Sequence, residues 1–252
     1  MEKCAVLGVP FCVTNMKEAL QEIEDHLEEL RGEYVCFSNV HTTVLANDDP
    51  AYMKVQKEAA YIFPDGKPIS KQQKKAGYPE AGRVAGPDFM GEMFARCEKA
   101  QKEGRQLRHF FFGASEDTIK KLALQLADKY PHMQIAGMIS PPFREVTPEE
   151  DKMYVDAINS AKTDILWVGL GAPKQEKWMH AHRGRIHAVM MGVGAGFDFH
   201  AGTKKRAPKW MQKCSLEWFY RLLQDPRRLF KRYFVTNTKF MKMTMKEHKK
   251  NN

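Results

Sequence analysis

Ile165-Leu166-Trp167-Val168-Gly169-Leu170-Gly171-Ala172-Pro173-Lys174-Gln175-Glu176-Lys177-Trp178 is the stretch that decides the fold. Its four leading apolar residues make a short strand buried on both faces. Two glycines then turn the chain. Pro173 opens a helix, because proline suits the first helical turn and fits poorly further in. A buried strand that feeds a helix through a tight glycine turn is the repeating half of a parallel α/β sheet.

The same alternation runs outward in both directions. Short apolar runs predict strands at 34–38, 60–63, 109–112, 134–139, 165–168 and 188–192. Helical patterns fill the gaps at 15–30, 41–57, 87–102, 115–130, 148–161 and 173–182. Ser115 followed by Glu116 and Asp117 reads as a cap with an acidic first turn, which suits the helix dipole. Thr147-Pro148-Glu149-Glu150 reads as a capping box with proline at the first helical position. The expected architecture is a mostly parallel, Rossmann-like sheet with helices on both faces. It forms one α/β domain over 1–198, followed by a basic amphipathic helical appendage over 199–252.

Composition narrows the class. The chain has 252 residues, 43% apolar and 28% charged, which fits a folded globular protein. The longest nearly uncharged stretches, 165–173 and 188–197, fall short of the roughly 18–20 residues a spanning helix needs. The apolar run 4–13 is broken by Gly8 and Pro10 and lacks a cleavage site, so a signal peptide is not expected. Five cysteines without a CxxC pair point to reduced thiols. No GxxxxGK[ST] loop, HExxH or DxD occurs, and Lys174 replaces the third glycine of a GxGxxG fingerprint. His180 and His182 diverge on a helix, so no metal site is expected there.

The charge is uneven. Residues 203–252 hold 15 Lys or Arg against three acids, a net +12, whereas the first 202 residues are slightly acidic. Trp210, Trp218, Phe219, Phe230, Phe234 and Met241 interleave with these cations, and Leu229, Tyr233 and Phe240 recur at roughly helical spacing. Asp225-Pro226 divides two such stretches. Basic helices with an apolar face suit an anionic membrane surface, a phosphorylated substrate or a nucleic acid. A helix pair packed on its own core has the same composition. No recognised nucleic-acid-binding motif accompanies the charge, so no nucleic-acid partner is expected.

Ligands of parallel α/β sheets bind outside the carboxyl ends of the strands. At one such end, the helix start at Pro173 offers free N–H groups to a phosphate, with Gln175 and Glu176 in its first turn to face a ligand or cap the helix. Gly192-Val193-Gly194-Ala195-Gly196 is a second glycine-rich end, a close approach for a ligand or a plain tight turn. Phe63-Pro64-Asp65-Gly66 places a carboxylate where a general base can be held, although an Asx turn explains Asp65 at least as well. Arg83, before Pro87, suits a phosphate clamp or a surface ion pair.

Together these segments resemble the WecB/TagA/CpsF family of bacterial glycosyltransferases. The matching pieces run in order: Asn39; Pro64-Asp65-Gly66-Lys67-Pro68; Arg83-Val84-Ala85-Gly86-Pro87-Asp88; Phe112-Gly113; Gly171 to Trp178; Val193 to Asp198; Ala201-Gly202; Arg206-Ala207-Pro208; and Glu217-Trp218 with Arg221, Asp225-Pro226, Arg228 and Arg232-Tyr233. The resemblance implies an inverting, metal-independent enzyme peripheral to the inner, cytoplasmic face of the plasma membrane. It implies transfer of N-acetylmannosamine, or of its uronic acid or glucose, from a UDP-sugar donor to polyprenyl-diphosphate-linked N-acetylglucosamine. Self-association, with a trimer as one form, is also implied. By the same resemblance Asp65 is the base, with Arg83 and Gln175 in its pocket. Asn39, Gly171, Lys174, Glu176, Gly194 and Asp198 join the binding set, and Arg221, Arg228 and Arg232 meet the diphosphates. Phe37 stands where some relatives have Thr, with Ser38 beside it, so a direct polar role is not expected at that position.

Overall fold

The computed structural model of the chain describes residues 1–101, 107–208, 210, 211 and 216–251; at 101, 221, 227, 228, 231, 232 and 248–251 it describes the backbone alone. The chain opens with an antiparallel hairpin, β1 (Lys3–Val6) and β2 (Val9–Cys12), then α1 (Met16–Asp25), β3 (Tyr34–Ser38), α2 (Val40–Asp48) and α3 (Pro50–Lys57). It continues through β4 (Tyr61–Pro64), α4 (Lys67–Lys75), α5 (Gly86–Gln101), β5 (Arg108–Gly113), α6 (Glu116–Lys129), β6 (Gln134–Ile139) and α7 (Pro148–Ser160). Then follow β7 (Ile165–Gly169), α8 (Lys174–Ala181), β8 (Val189–Gly192) and α9 (Gly196–His200). A short terminal helix (Glu217–Gln224) and a long one (Pro226–Asn251) end the chain.

Six strands form a wholly parallel sheet in the order β4-β3-β8-β7-β5-β6. Both faces are covered, as parallel sheets require. Strand side chains alternate between the two layers. Val35, Phe37, Phe111, Trp167 and Met191 pack under α1, α5, α6 and α9. Tyr34, Cys36, Phe110, Phe112, Leu166 and Met190 pack under α2, α3, α7 and α8. The four described cysteines are buried free thiols.

All six expected strands are present, and three features differ from expectation. Residues 4–13 form the hairpin, turned at Leu7 and Gly8 with φ of 52° and 77°. The helix expected over 41–57 is two helices, because Asp49 caps α3 through Ala51 N–H at 3.0 Å and Pro50 begins it. The 67–75 segment is helical although it is mostly polar; it buries only Ile69, Ser70 and Gln73.

The long terminal helix is amphipathic in two directions. Leu229, Thr236, Phe240 and Thr244 are buried, and Phe240 joins the core beside Val40 and Val44 of α2. Lys239 pairs with Asp48. Phe230, Phe234, Met241 and Met245, on another face, are 60–66% exposed. The run of Leu229, Tyr233 and Phe240 noted in the sequence therefore packs largely inward, and a second apolar row faces out. Among the described residues no helix is long and apolar enough to cross a membrane.

Candidate active site

The carboxyl ends of β3 and β4 lie side by side. Asp65, just past β4, donates its N–H to Ser38 C=O at 2.9 Å. Asn39, just past β3, caps α2: its Oδ1 accepts from His41 N–H at 3.0 Å and from Thr42 N–H at 3.4 Å. That cap turns Nδ2 the other way, where it donates to Asp65 Oδ2 at 3.3 Å. Helix α4 takes Gly66 as its N-cap, with no side-chain cap bond. The half-buried Asp65 carboxylate is thus met by the side-chain amide of Asn39.

The 81–86 loop closes over this corner. Val84 N–H bonds Pro64 C=O at 2.8 Å, and Arg83 Nε donates to Asp65 C=O at 3.0 Å. The remaining guanidinium nitrogens meet two carboxylates, Asp88 at 3.2 Å and Glu217 at 2.9 Å. Arg206 touches the same two, Asp88 Oδ1 at 2.5 Å and Glu217 Oε1 at 3.4 Å. Burial lowers the Arg206 pKa, but the adjacent Asp88 and Glu217 carboxylates outweigh it and the net shift is upward. Two cations and two anions alternate, and half of them come from the appendage.

The glycine-rich ends of β7 and β8 meet at Gln175. Its Oε1 accepts from Gly171 N–H at 3.1 Å, and its Nε2 donates to Gly192 C=O at 3.0 Å and to Glu176 Oε1 at 2.8 Å. Gly171 has φ of 78° and open space beyond it, a conformation that glycine adopts without strain. Glu176 is fully buried, and burial pushes its carboxyl up to about 6. The first turn of α8 is partly occupied already. Gln175 N–H goes to Gly171 C=O, Lys177 N–H to Pro173 C=O, and Glu176 N–H toward its own carboxylate. Gly171 N–H is taken by Gln175 and Pro173 has none, so the N–H groups left open at this helix start are those of Ala172 and Lys174.

The structure therefore brings Asn39, Asp65 and Arg83 into one corner and Gly171, Gln175 and Glu176 into a second. The corners adjoin: a Cβ on Gly86 would stand 3.4 Å from Val193 Cα. Gly194, φ 52°, lies 3.5 Å by the same measure from Gln175 Oε1. Lys174 is exposed. Asp198 accepts from Thr203 Oγ1 at 3.1 Å and Lys204 Nζ at 2.6 Å, tying α9 to the start of the appendage. The side chains of Arg221, Arg228 and Arg232 lie outside the described residues. Phe37 is buried against Phe63 and Phe89, as an apolar residue there must be.

Sequence reasoning placed Glu217 in a motif but missed its pairing with Arg83, which no local pattern signals. It also missed the polar chain beneath the site. Ser38 Oγ donates to Gln56 Oε1 at 2.6 Å, and Gln56 Nε2 donates to the Tyr52 hydroxyl at 3.0 Å. A cavity of about 480 Å³ beside Arg31, Arg108 and Asp164 opens at the amino ends of β5 and β7, away from these corners.

Comparison with known proteins identifies the family. Residues 4–252 match the model of the glycosyl transferase WecG/TagA/CpsF family. The chain is 30% identical over 251 residues to the N-acetylglucosaminyldiphosphoundecaprenol N-acetyl-beta-D-mannosaminyltransferase of Bacillus subtilis (strain 168), covering 99% of this chain and 93% of that one. It is 31% identical over 233 residues to the protein of the same name from Staphylococcus aureus (strain MW2), covering 90% of this chain and 87% of the relative.

Proposed function

The chain belongs to the WecG/TagA/CpsF glycosyltransferase family, and from that premise we propose that it moves N-acetylmannosamine, or a closely related sugar, from a UDP-sugar to polyprenyl-diphosphate-linked N-acetylglucosamine with inversion. The acceptor and the sugar follow the names of the two relatives. The observation that carries the reading is the corner where Asn39 orients the Asp65 carboxylate beside Arg83.

The chemistry fits those groups. An acceptor hydroxyl attacks the anomeric carbon from the face opposite UDP, and Asp65 takes its proton. The new C–O bond forms as the bond to UDP breaks, and the departing diphosphate keeps that electron pair. The transition state resembles the oxocarbenium ion of glycoside hydrolysis. The 171–174 turn receives the diphosphate through the Ala172 and Lys174 N–H groups, and preorganised cations stabilise its growing charge. The Arg83, Asp88, Arg206 and Glu217 cluster is neutral as a unit, so the surplus positive charge comes from Arg221, Arg228 and Arg232 of the appendage. This route uses side-chain cations in place of a metal clamp.

The appendage also serves the acceptor. A polyprenyl diphosphate is delivered at a membrane surface. The exposed row of Phe230, Phe234, Met241 and Met245, with exposed Lys242 and Lys246 alongside, suits the interface of an anionic leaflet. We therefore place the enzyme peripherally on the cytoplasmic face of the membrane, with the appendage closing over the site.

A screen of UDP-sugars for UDP release, with a short-chain N-acetylglucosamine-diphosphate lipid as acceptor, tests the reading. Acceptor-dependent release with UDP-N-acetylmannosamine is expected. No release from any UDP-sugar contradicts it.

A further inference from the structure

The Gln175 amide bonds one backbone group from each glycine-rich end, Gly171 N–H and Gly192 C=O. An amide performs that task in one orientation only. Oε1 must face Gly171 N–H and Nε2 must face Gly192 C=O, and a rotation of the amide by half a turn sets donor against donor and acceptor against acceptor. Glu176 adds to that discrimination: its Oε1 takes the second Nε2 hydrogen at 2.8 Å, which an amide oxygen in that place could not supply.

We propose that Glu176 is a positioning residue for the sugar donor: its buried carboxylate fixes the Gln175 amide, which in turn pins the 171–173 turn to the end of β8. The proposal rests on the reading that UDP binds at this turn.

Glu176 is poorly explained as a stabilising residue. It is 0% exposed, and no cationic side chain contributes to its balance among the described residues. The Tyr52 hydroxyl, which accepts from Gln56 Nε2, turns toward the Glu176 carboxylate and lowers its pKa as a weak donor, and Oε2 has no other hydrogen-bond partner among the described residues. The buried Cys36 thiol faces it from β3. An ionisable group held this way costs stability, so the fold alone gives no reason for it. An acceptor aimed at the Gln175 amide does.

The test compares wild type with Glu176→Gln and Glu176→Met. Glutamine keeps an acceptor for Gln175 and removes the charge, and its NH2 can donate to the Tyr52 hydroxyl in place of the weak bond it replaces. Methionine fills similar space without an acceptor. Four quantities are read: the melting temperature, the UDP dissociation constant by calorimetry, and the donor KM and kcat. For Glu176→Met, a melting temperature at or above wild type is expected, with UDP affinity and donor KM worsened about tenfold and kcat changed less. For Glu176→Gln, UDP affinity and KM are expected within about threefold of wild type. Unchanged UDP affinity in a folded Glu176→Met, or equal losses in both variants, overturns the proposal.

The Gln175 side-chain amide protons give a second readout that needs neither a variant nor turnover. Slow exchange with water in the wild-type chain is expected, and exchange at the rate of free glutamine overturns the proposal. If no UDP-sugar is turned over, the functional reading fails while UDP binding and amide exchange still decide the role of Glu176.

Discussion

Glu217 Oε2 accepts a hydrogen bond from Arg83 Nη2 at 2.9 Å, across 134 residues of chain. Arg83 is also bonded to the backbone of Asp65. The appendage therefore reaches the candidate base through a single guanidinium. Removal of the Glu217 carboxylate leaves Arg83 with Asp88 and frees one end of the clamp. Glu217→Ala is expected to cost about 1.5–3 kcal/mol of stability, the loss for a hydrogen bond to a charged group, and to lower kcat/KM about tenfold. Chemical denaturation and transfer kinetics measure both, and wild-type kinetics in this variant contradict the coupling.

Asn39 does two things with two ends of one amide. Its Oδ1 caps α2 and its Nδ2 holds Asp65. Serine supplies a cap oxygen and lacks the second donor. Asn39→Ser is expected to keep stability within about 0.5 kcal/mol, whereas Asn39→Ala loses about 1 kcal/mol with the cap. Both are expected to slow turnover. A fully active Asn39→Ser shows that Asp65 needs no such partner.

The two faces of the long terminal helix predict opposite outcomes. Phe240 is buried, so Phe240→Ala is expected to cost about 3–5 kcal/mol. Phe230 and Phe234 are exposed, so Phe230→Ser with Phe234→Ser leaves the melting temperature nearly unchanged and weakens sedimentation with anionic vesicles. Equal sedimentation of the double variant and wild type removes this face as the membrane contact.

His109 makes stability fall with acid. Burial lowers its pKa to about 4, against about 6.5 when exposed. The folded state then binds fewer protons than the unfolded state between those values, so its contribution is full above 6.5 and is lost as pH falls toward 4. The loss is about 3 kcal/mol across that window. Burial acts with the opposite sign on the Glu176 carboxyl, so the comparison with His109→Gln isolates the histidine. Glutamine can still accept from Trp167 Nε1, which bonds His109 Nδ1 at 3.1 Å. Thermal melts from pH 7.5 to 5 are expected to show a smaller fall in the variant, and parallel curves contradict the assignment.

The sheet was legible because each strand is a short, mostly apolar run with glycine, proline or a small polar residue at or just past its end. The hairpin was not, since Gly8 and Pro10 interrupt its run. The break between α2 and α3 was written in Asp49-Pro50, a cap followed by proline, within an otherwise continuous pattern. Helix α4 lacks the apolar period that marks a helix, because so little of it is buried. At the site, strand-end position and family resemblance were enough to choose Asp65, Asn39 and Arg83. Local pattern left Gln175 and Glu176 open between facing a ligand and capping α8. The packing of α8 on β3 and β8 turned both side chains inward. The partnership of Arg83 with Glu217 and Arg206 depends on where the appendage folds back, and no spacing in the chain encodes that.

Single-turnover transfer by Asp65→Asn, beside UDP affinity measured on the same protein, tests the central claim most directly. Asparagine keeps the shape and cannot take a proton, so turnover is expected to fall by about 100-fold or more while UDP still binds. Transfer at close to the wild-type rate contradicts the assignment of Asp65 as the base.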